Sequence, residues 1–212
     1  MLDDAISERN DEGMPVTRTA SRSRQTKETS IDISIDIDGS GSTDISTGIP
    51  FYDHMLDQIG RHGGFDLTVR AVGDIEIDTH HTVEDVAITL GEVFAEALGD
   101  KAGVRRFASG RYPLDEALID IALDLSGRPH VEWHVDMPES LPLGFPAFDP
   151  QLAEHVVSSF ATSAGITLHV EMVRGRNTHH VIEATFKGLA RALRDAVRVE
   201  DAAGVPSTKG VL

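Results

Sequence analysis

The chain begins its regular part with a strict alternation of apolar and polar side chains. Isoleucine occupies every second position from Ile31 to Ile37, with Asp or Ser between. This period of two predicts a strand with one buried face. The alternation recurs at residues 119–125, an offset of 88, and a glycine follows two residues after each segment, at Gly39 and Gly127. The match in spacing and ending indicates an internal repeat.

The first copy continues with further predicted elements. A second strand ends before Pro50, and a short helix follows at residues 51–60. Apolar positions at 67–71 and 75–77 predict a hairpin turned at residues 73–74. An amphipathic helix follows Asp78, with apolar residues at helical spacing, and a glycine at position 99 is expected to end it.

The second copy predicts the same order of elements. Its strands are expected at 131–135 and 166–170, and its helices at 151–164 and 182–197. A duplicated α+β fold with pseudo-twofold symmetry follows, with a first half at 27–113 and a second half at 114–212. Residues 1–26 are polar and lack apolar periodicity, which predicts a disordered tail.

Composition excludes several classes of protein. The formal net charge is −16, which disfavours a nucleic-acid partner because phosphates repel an acidic surface. The chain has no cysteine, so a bound metal would need nitrogen and oxygen ligands. There is no apolar run near 20 residues and no apolar signal core, so we expect no membrane association and a cytoplasmic location.

The motif Thr-His-His-x-x-Glu occurs twice, at residues 79–84 and 178–183, 99 residues apart. On a helix, the first His and the Glu of each copy are i,i+4 neighbours. Adjacent imidazoles diverge by roughly 100° on a helix, so they are expected to reach two different metals. One further histidine precedes each motif. The eight candidate ligands are His54, His80, His81, Glu84, His155, His179, His180 and Glu183. Imidazole and carboxylate without sulfur suit Mn, Fe, Co or Zn.

A second set of residues has anion-binding chemistry. Arginine binds phosphate through a bidentate fork, and lysine acts as a point charge. Residues 207–210, Ser-Thr-Lys-Gly, could offer hydroxyls, backbone N–H groups and an ammonium to a phosphate. Taken singly, each basic residue is better explained as a surface ion-pair partner. The candidates are Arg106, Arg128, Lys187, Ser207 and Lys209.

Five segments together carry a family resemblance that extends from about residue 27 to residue 212. They are residues 51–58 (FYDHMLDQ), 78–85 (DTHHTVED), 126–129 (SGRP), 177–187 (NTHHVIEATFK) and 206–210 (PSTKG). In order and spacing they resemble the imidazoleglycerol-phosphate dehydratases of histidine biosynthesis. The resemblance implies dehydration of D-erythro-imidazole glycerol phosphate to imidazole acetol phosphate and water. It also implies helices packed between two sheets.

The resemblance assigns roles to particular residues. It implies two Mn(II) ions per active site, held by the eight candidate ligands. The phosphate would be bound by Arg106, Arg128, Ser207 and Lys209, with Lys187 nearby, while Glu28 and Gln58 would touch the glycerol part. The residues placed in catalysis are Glu28, His80, Glu84, His180 and Glu183. The resemblance also implies a homo-oligomer of 24 subunits, built from trimers, with each active site between subunits.

Two other functions are compatible with parts of this pattern. A metal-stabilised structural assembly without catalysis would explain the histidines but not the basic residues beside them. A dinuclear hydrolase acting on a phosphorylated small molecule would explain both sets, although such sites usually contain more carboxylates than this one.

Overall fold

A computed structural model describes residues 17–200 and 204–207. This part of the chain forms eight strands and four helices. In chain order they are β1 (Thr19–Gln25), β2 (Thr29–Asp36), β3 (Thr43–Ser46), α1 (Pro50–Gly63), β4 (Asp66–Gly73), α2 (His80–Leu98), β5 (Phe107–Leu114), β6 (Ala117–Asp124), β7 (His130–His134), α3 (Leu152–Ala164), β8 (Thr167–Arg174) and α4 (Thr178–Ala196).

The predicted duplication is confirmed by the topology of the two sheets. The first sheet has the strand order β1-β2-β4-β3, and the second has the equivalent order β5-β6-β8-β7. In each sheet the first three strands of this order pair antiparallel and the last pairs parallel. Each half therefore follows the order strand, strand, strand, helix, strand, helix.

The four helices lie between the two sheets, as the resemblance implied. Helices α1 and α2 pack on the first sheet, whereas α3 and α4 pack on the second. Across the middle, α1 packs against α4 and α2 packs against α3. The alternating isoleucines face this helical layer, and Ile31, Ile33 and Ile35 are at most 3% exposed. Burying one face of each sheet against helices gives a single continuous core.

The predicted disordered tail is wrong for its last part, because Thr19–Gln25 forms strand β1. It pairs with β2 from Thr19↔Asp36 to Gln25↔Ser30. β1 is an edge strand with mostly exposed side chains. It is held to β2 by backbone hydrogen bonds, which any sequence can form, so its residues show no apolar alternation. The first half thus begins at β1 rather than at residue 27. Residues 1–16 of the predicted tail lie outside the described residues.

Two further predictions about the first half are wrong. Strand β5 (Phe107–Leu114) pairs with β6, so the boundary between the halves precedes residue 107 instead of following residue 113. The expected hairpin partner at 75–77 is a turn, closed by a hydrogen bond from the Ile77 N–H to the Asp74 carbonyl of 2.8 Å. β4 already pairs with β2 and β3, so neither of its edges is left for a hairpin partner.

Helix ends place the two motifs at equivalent positions. α2 begins at His80 and α4 begins at Thr178, so both His-His pairs occupy a first helical turn. Gly99 caps α2 with φ 63°, which confirms the predicted end of that helix. None of the helices in the described part is both long and apolar enough to cross a bilayer.

Candidate metal centre

Contact between α1 and α4 joins ligands from opposite halves. His54 on α1 faces His179 and Glu183 on α4, and one donor atom from each lies within 4.8 Å of the others. The Glu183 Oε2 atom is 2.9 Å from Nε2 of His179 and 3.7 Å from Nε2 of His54. We call these three residues the His54 cluster.

Contact between α2 and α3 builds the symmetric counterpart. His80 and Glu84 on α2 face His155 on α3, again with one donor atom from each within 4.8 Å of the others. The imidazole centroids of His80 and His155 are 4.6 Å apart, and Nε2 of His155 is 3.1 Å from Oε1 of Glu84. These three residues are the His155 cluster.

The donor atoms of the His155 cluster suit a cation. Nε2 of His155 is buried and finds no hydrogen-bond partner among the described residues, although the Glu84 carboxylate is close to it. A buried polar atom without a hydrogen bond costs about 1–3 kcal/mol. Nitrogen and oxygen donors that converge without hydrogen bonding to each other fit a transition metal coordinated by imidazole and carboxylate.

The second histidine of each motif points away from these clusters. The ring planes of His80 and His81 are 77° apart, and those of His179 and His180 are 87° apart. The two rings of each pair also have different partners, since His81 faces Asp74 and His180 faces Glu116. Six of the eight candidate ligands thus form two clusters of three within one chain. His81 instead groups with Glu28 and Asp74, and His180 pairs with Glu116.

Two carboxylates that sequence reasoning missed hold these diverging histidines. Asp74 lies 3.1 Å from Nδ1 of His81, and Glu116 lies 2.8 Å from Nδ1 of His180. The hydrogen bond from His180, followed by bonds from backbone N–H groups, lowers the pKa of Glu116 to about 2. The pKa values of both histidines are raised, chiefly by these same hydrogen bonds. The sequence contained one signal, since Glu116 lies 88 residues after Glu28.

The threonine that opens each motif ties the proline-rich loop of residues 138–150 to the helices. The Thr79 hydroxyl donates to the Ala147 carbonyl at 2.8 Å, and the Thr178 hydroxyl donates to the Glu139 carbonyl at 3.1 Å. The Glu139 N–H returns a bond to Thr178 at 3.0 Å. One loop thus braces the first turns of both ligand-bearing helices.

Two predicted substrate contacts lie beside the histidines. Gln58 is buried on α1, and its amide donates to the His54 carbonyl at 3.2 Å. Glu28 lies in the turn between β1 and β2, with its carboxylate 3.9 Å from Nδ1 of His81 and 55% exposed. Its backbone N–H donates to the Thr26 hydroxyl at 3.1 Å, which orders the turn. The Glu28 carboxylate thus lies near a candidate ligand and open to solvent.

The basic residues occupy two places. Nζ of Lys187 is 2.7 Å from the Glu183 carboxylate of the His54 cluster. Burial alone would raise the pKa of Glu183, but the hydrogen bond and charge of Lys187 outweigh it, so the pKa is lowered. Glu183 therefore carries its charge, as a metal ligand requires.

The second place is the contact of Arg106 with the C-terminal segment. Its guanidinium binds Asp124 through two bonds of 2.6 and 2.9 Å and donates to the Pro206 carbonyl at 2.7 Å. This contact with Pro206 brings Arg106 close to Ser207, the next residue in the chain. The Arg128 guanidinium donates a long bond of 3.4 Å to the Ser126 carbonyl, and the Arg128 backbone N–H donates to the Ser126 hydroxyl at 3.1 Å. Lys209 lies outside the described residues.

A duplicated α+β fold with His-Glu clusters between its halves defines a class of enzyme whose clustered residues could hold metal ions. A family model described as imidazoleglycerol-phosphate dehydratase matches residues 47–193. The chain belongs to this family of hydro-lyases of histidine biosynthesis, which confirms the resemblance seen in the sequence.

Individual relatives agree with the family model. The chain is 55% identical over 195 residues to the imidazoleglycerol-phosphate dehydratase of Acidothermus cellulolyticus, covering 92% of this chain and 93% of the relative. It is 51% identical over 200 residues to the chloroplastic enzyme of Pisum sativum, covering 93% and 70%.

Solved structures of the family share the fold. The crystal structure of the Staphylococcus aureus dehydratase superposes with a TM-score of 0.77 at 33% identity, covering 86% of this chain and 99% of that one. The Pyrococcus furiosus structure gives a TM-score of 0.77 at 36% identity, with coverages of 90% and 100%.

Proposed function

We propose that the chain catalyses the metal-dependent dehydration of D-erythro-imidazole glycerol phosphate to imidazole acetol phosphate and water. The observation that carries this proposal is the pair of symmetric clusters, each with two imidazoles and one carboxylate in converging positions. Membership of the dehydratase family supports the choice of substrate. We further propose that the enzyme works in the cytoplasm.

The clusters would hold two Mn(II) ions per active site. The His54 cluster and the His155 cluster supply three protein ligands each, and His81 and His180 would supply a fourth to each from neighbouring copies. A bound transition metal acts as a Lewis acid and as a template for the substrate. Two observations support this assignment. Nε2 of His155 has no hydrogen-bond partner in the described part of the chain, and the Glu183 carboxylate is charged.

The divergence of the motif histidines supports sites shared between copies. A ligand that turns away from the cluster of its own chain is available to another chain. We therefore propose a homo-oligomer of 24 subunits, built from trimers, with each active site between subunits. Symmetric assemblies of this kind use the same surface patches on every copy.

The chain's own side chains would then orient the substrate and move its proton. Arg106, Arg128, Ser207 and Lys209 would hold the phosphate, with Lys187 nearby, and this fixed orientation removes much of the entropic part of the barrier. Gln58 would contact the glycerol part. The reaction takes a hydroxyl from one carbon and a proton from its neighbour, and the enol tautomerises to the ketone. We propose that the Glu28 carboxylate removes this carbon-bound proton.

Substitution of Glu28 by Gln tests the mechanism. It should lower kcat by a factor of 10²–10⁴, the usual contribution of a general base, and leave the Mn content unchanged, because Glu28 is not among the proposed ligands. Turnover is measured from the absorbance of the enolised ketone, with metal content by elemental analysis. Glu171→Gln, an exposed change on β8, serves as control.

Two outcomes would contradict the proposal. Unchanged kcat in the Glu28→Gln protein would remove this residue as the base. Wild-type protein that binds Mn(II) but does not convert the substrate would favour a structural assembly over an enzyme of this specificity.

A further inference from the structure

The two halves place a glutamate at the same position beside the motif. Glu28 lies at the tip of the β1–β2 hairpin and Glu116 at the tip of the β5–β6 hairpin, 88 residues later. Each glutamate faces the second histidine of its own half's motif, His81 or His180. The duplication therefore supplied two equivalent carboxylate–imidazole pairs.

The two pairs now differ in geometry. In the first half, Asp74 occupies Nδ1 of His81 at 3.1 Å, and Glu28 stays 3.9 Å away. The corresponding stretch at the end of β8, residues 173–175, reads Val-Arg-Gly and has no carboxylate. In the second half it is Glu116 itself that binds Nδ1 of His180, at 2.8 Å.

Glu116 is also anchored from behind. Its other oxygen accepts hydrogen bonds from the backbone N–H groups of Arg176 at 3.2 Å and Asn177 at 2.9 Å. The Asn177 side chain in turn accepts from the His180 N–H at 3.3 Å, as the N-cap of α4. With the carboxylate fixed at one end, the imidazole at the other end has one preferred orientation.

This network determines which nitrogen of His180 is free. Because a carboxylate only accepts hydrogen bonds, the proton of the neutral ring sits on Nδ1, and Nε2 keeps its lone pair. Nε2 lies on the opposite side of the ring from the Nδ1 atom that contacts Glu116, and it is 3.8 Å from Oδ2 of the exposed Asp115. Histidines that bind metals usually donate their other N–H to such a carboxylate.

We propose that Glu116 is a positioning residue that presents Nε2 of His180 as a metal-donor atom, and that Asp74 does the same for His81. Because Asp74 already orients His81, Glu28 is not needed to orient that ring. The inference rests on the proposed function only in taking His81 and His180 as ligands. Two glutamates of common position therefore have different roles, one in orientation and one in the reaction.

Glu116→Gln is the sharpest variant for a test. The amide oxygen still accepts from the Arg176 and Asn177 backbone, so the start of α4 stays anchored. The amide NH₂ group then faces Nδ1 of His180 and donates to it, which moves the ring proton to Nε2. The substitution thus preserves shape and reverses the polarity of one hydrogen bond.

The experiment measures Mn(II) affinity of the full-length protein by equilibrium dialysis without substrate. Glu116→Gln should weaken Mn(II) binding about 10- to 100-fold, the range found when outer partners of metal ligands are removed. In a His180→Ala background the same change should have no further effect. Glu132→Gln is the matched control, since Glu132 also contacts histidine rings, at 2.9 and 3.5 Å, but on β7.

Two results would overturn the proposal. One is wild-type affinity in the Glu116→Gln protein, and the other is an equal loss with and without His180. If circular dichroism shows that Glu116→Gln does not fold, Asp74→Asn with and without His81→Ala decides by the same criteria. Absence of dehydratase turnover in the wild type would refute the proposed function instead. The dialysis experiment would still test the role of Glu116, because it measures Mn(II) binding without substrate.

Discussion

At the scale of single residues, Asp66 shows how one carboxylate organises a turn. It lies where β4 begins, and its Oδ1 accepts from the Ser42 N–H at 2.9 Å, the Ser40 N–H at 2.7 Å and the Ser40 hydroxyl at 3.1 Å. These bonds, led by that from Ser42, stabilise the charged form and lower the pKa of Asp66 below 3.8.

The lowered pKa of Asp66 predicts a pH-dependent contribution to stability. The contribution is fully present above the unfolded carboxyl's pKa and is lost as pH falls through the lower folded value. Asp66→Asn should therefore reduce the free energy of unfolding at pH 7, and its difference from wild type should shrink below about pH 4. Urea unfolding from pH 7 to pH 3 measures this. A difference that does not change with pH would refute the argument.

The candidate ligands show what residue spacing can and cannot predict. The repeat of His-His-x-x-Glu with an upstream histidine was sufficient to name eight candidates, because helical spacing puts the first His and the Glu on one face. Spacing did not reveal that His54 meets the motif of the other half, since that contact depends on α1 packing against α4. Asp74 and Glu116 were missed because turns bring them to the histidines.

At the scale of elements, the buried strands and helices were predictable and the edges were not. β2 and β6 alternate strictly because one face of each is buried, and α2 and α4 have helical apolar spacing for the same reason. β1 has no such pattern, because its stability comes from backbone pairing with β2 and its side chains are mostly exposed. The turn at 75–77 was misread because its isoleucines mimic a strand, although Ile77 is 74% exposed.

The close approach of α2 and α3 depends on Gly91. A Cβ atom at this position would lie 2.5 Å from the Phe160 carbonyl oxygen and 2.7 Å from the Ser163 Cβ. Gly91→Ala should therefore push the helices apart and destabilise the protein by about 1–3 kcal/mol, despite the better helix propensity of alanine. Chemical denaturation measures the loss.

The same substitution should also weaken Mn(II) binding, because α2 and α3 carry the two sides of the His155 cluster. Thr162→Ala, an exposed change on α3, is the control and should alter stability by no more than about 0.5 kcal/mol. A Gly91→Ala protein of unchanged stability and affinity would show that the helices adjust at no cost.

At the scale of the whole molecule, the proposed sharing of sites makes metal binding and assembly interdependent. Removal of metal with EDTA should lower the Tm and reduce the mass measured by light scattering. Mn(II) at a hundred times its Kd should restore about 2.7 kcal/mol per site. Mg(II) should not restore it, because Mg(II) prefers oxygen ligands in an octahedral shell. A metal-free protein with full mass and unchanged Tm would argue against shared sites.

The exchange of ligands between halves has a consequence for the history of the chain. An ancestor containing one half alone could bring its upstream histidine to a His-x-x-x-Glu face only by pairing with an identical molecule. Both clusters of such a dimer would have been encoded by the same residues, so every mutation would have changed both. Fusion into one chain separated them genetically. After fusion, a substitution in one half no longer altered the other, so a carboxylate could be present beside His81, at Asp74, and absent from residues 173–175 of the second half.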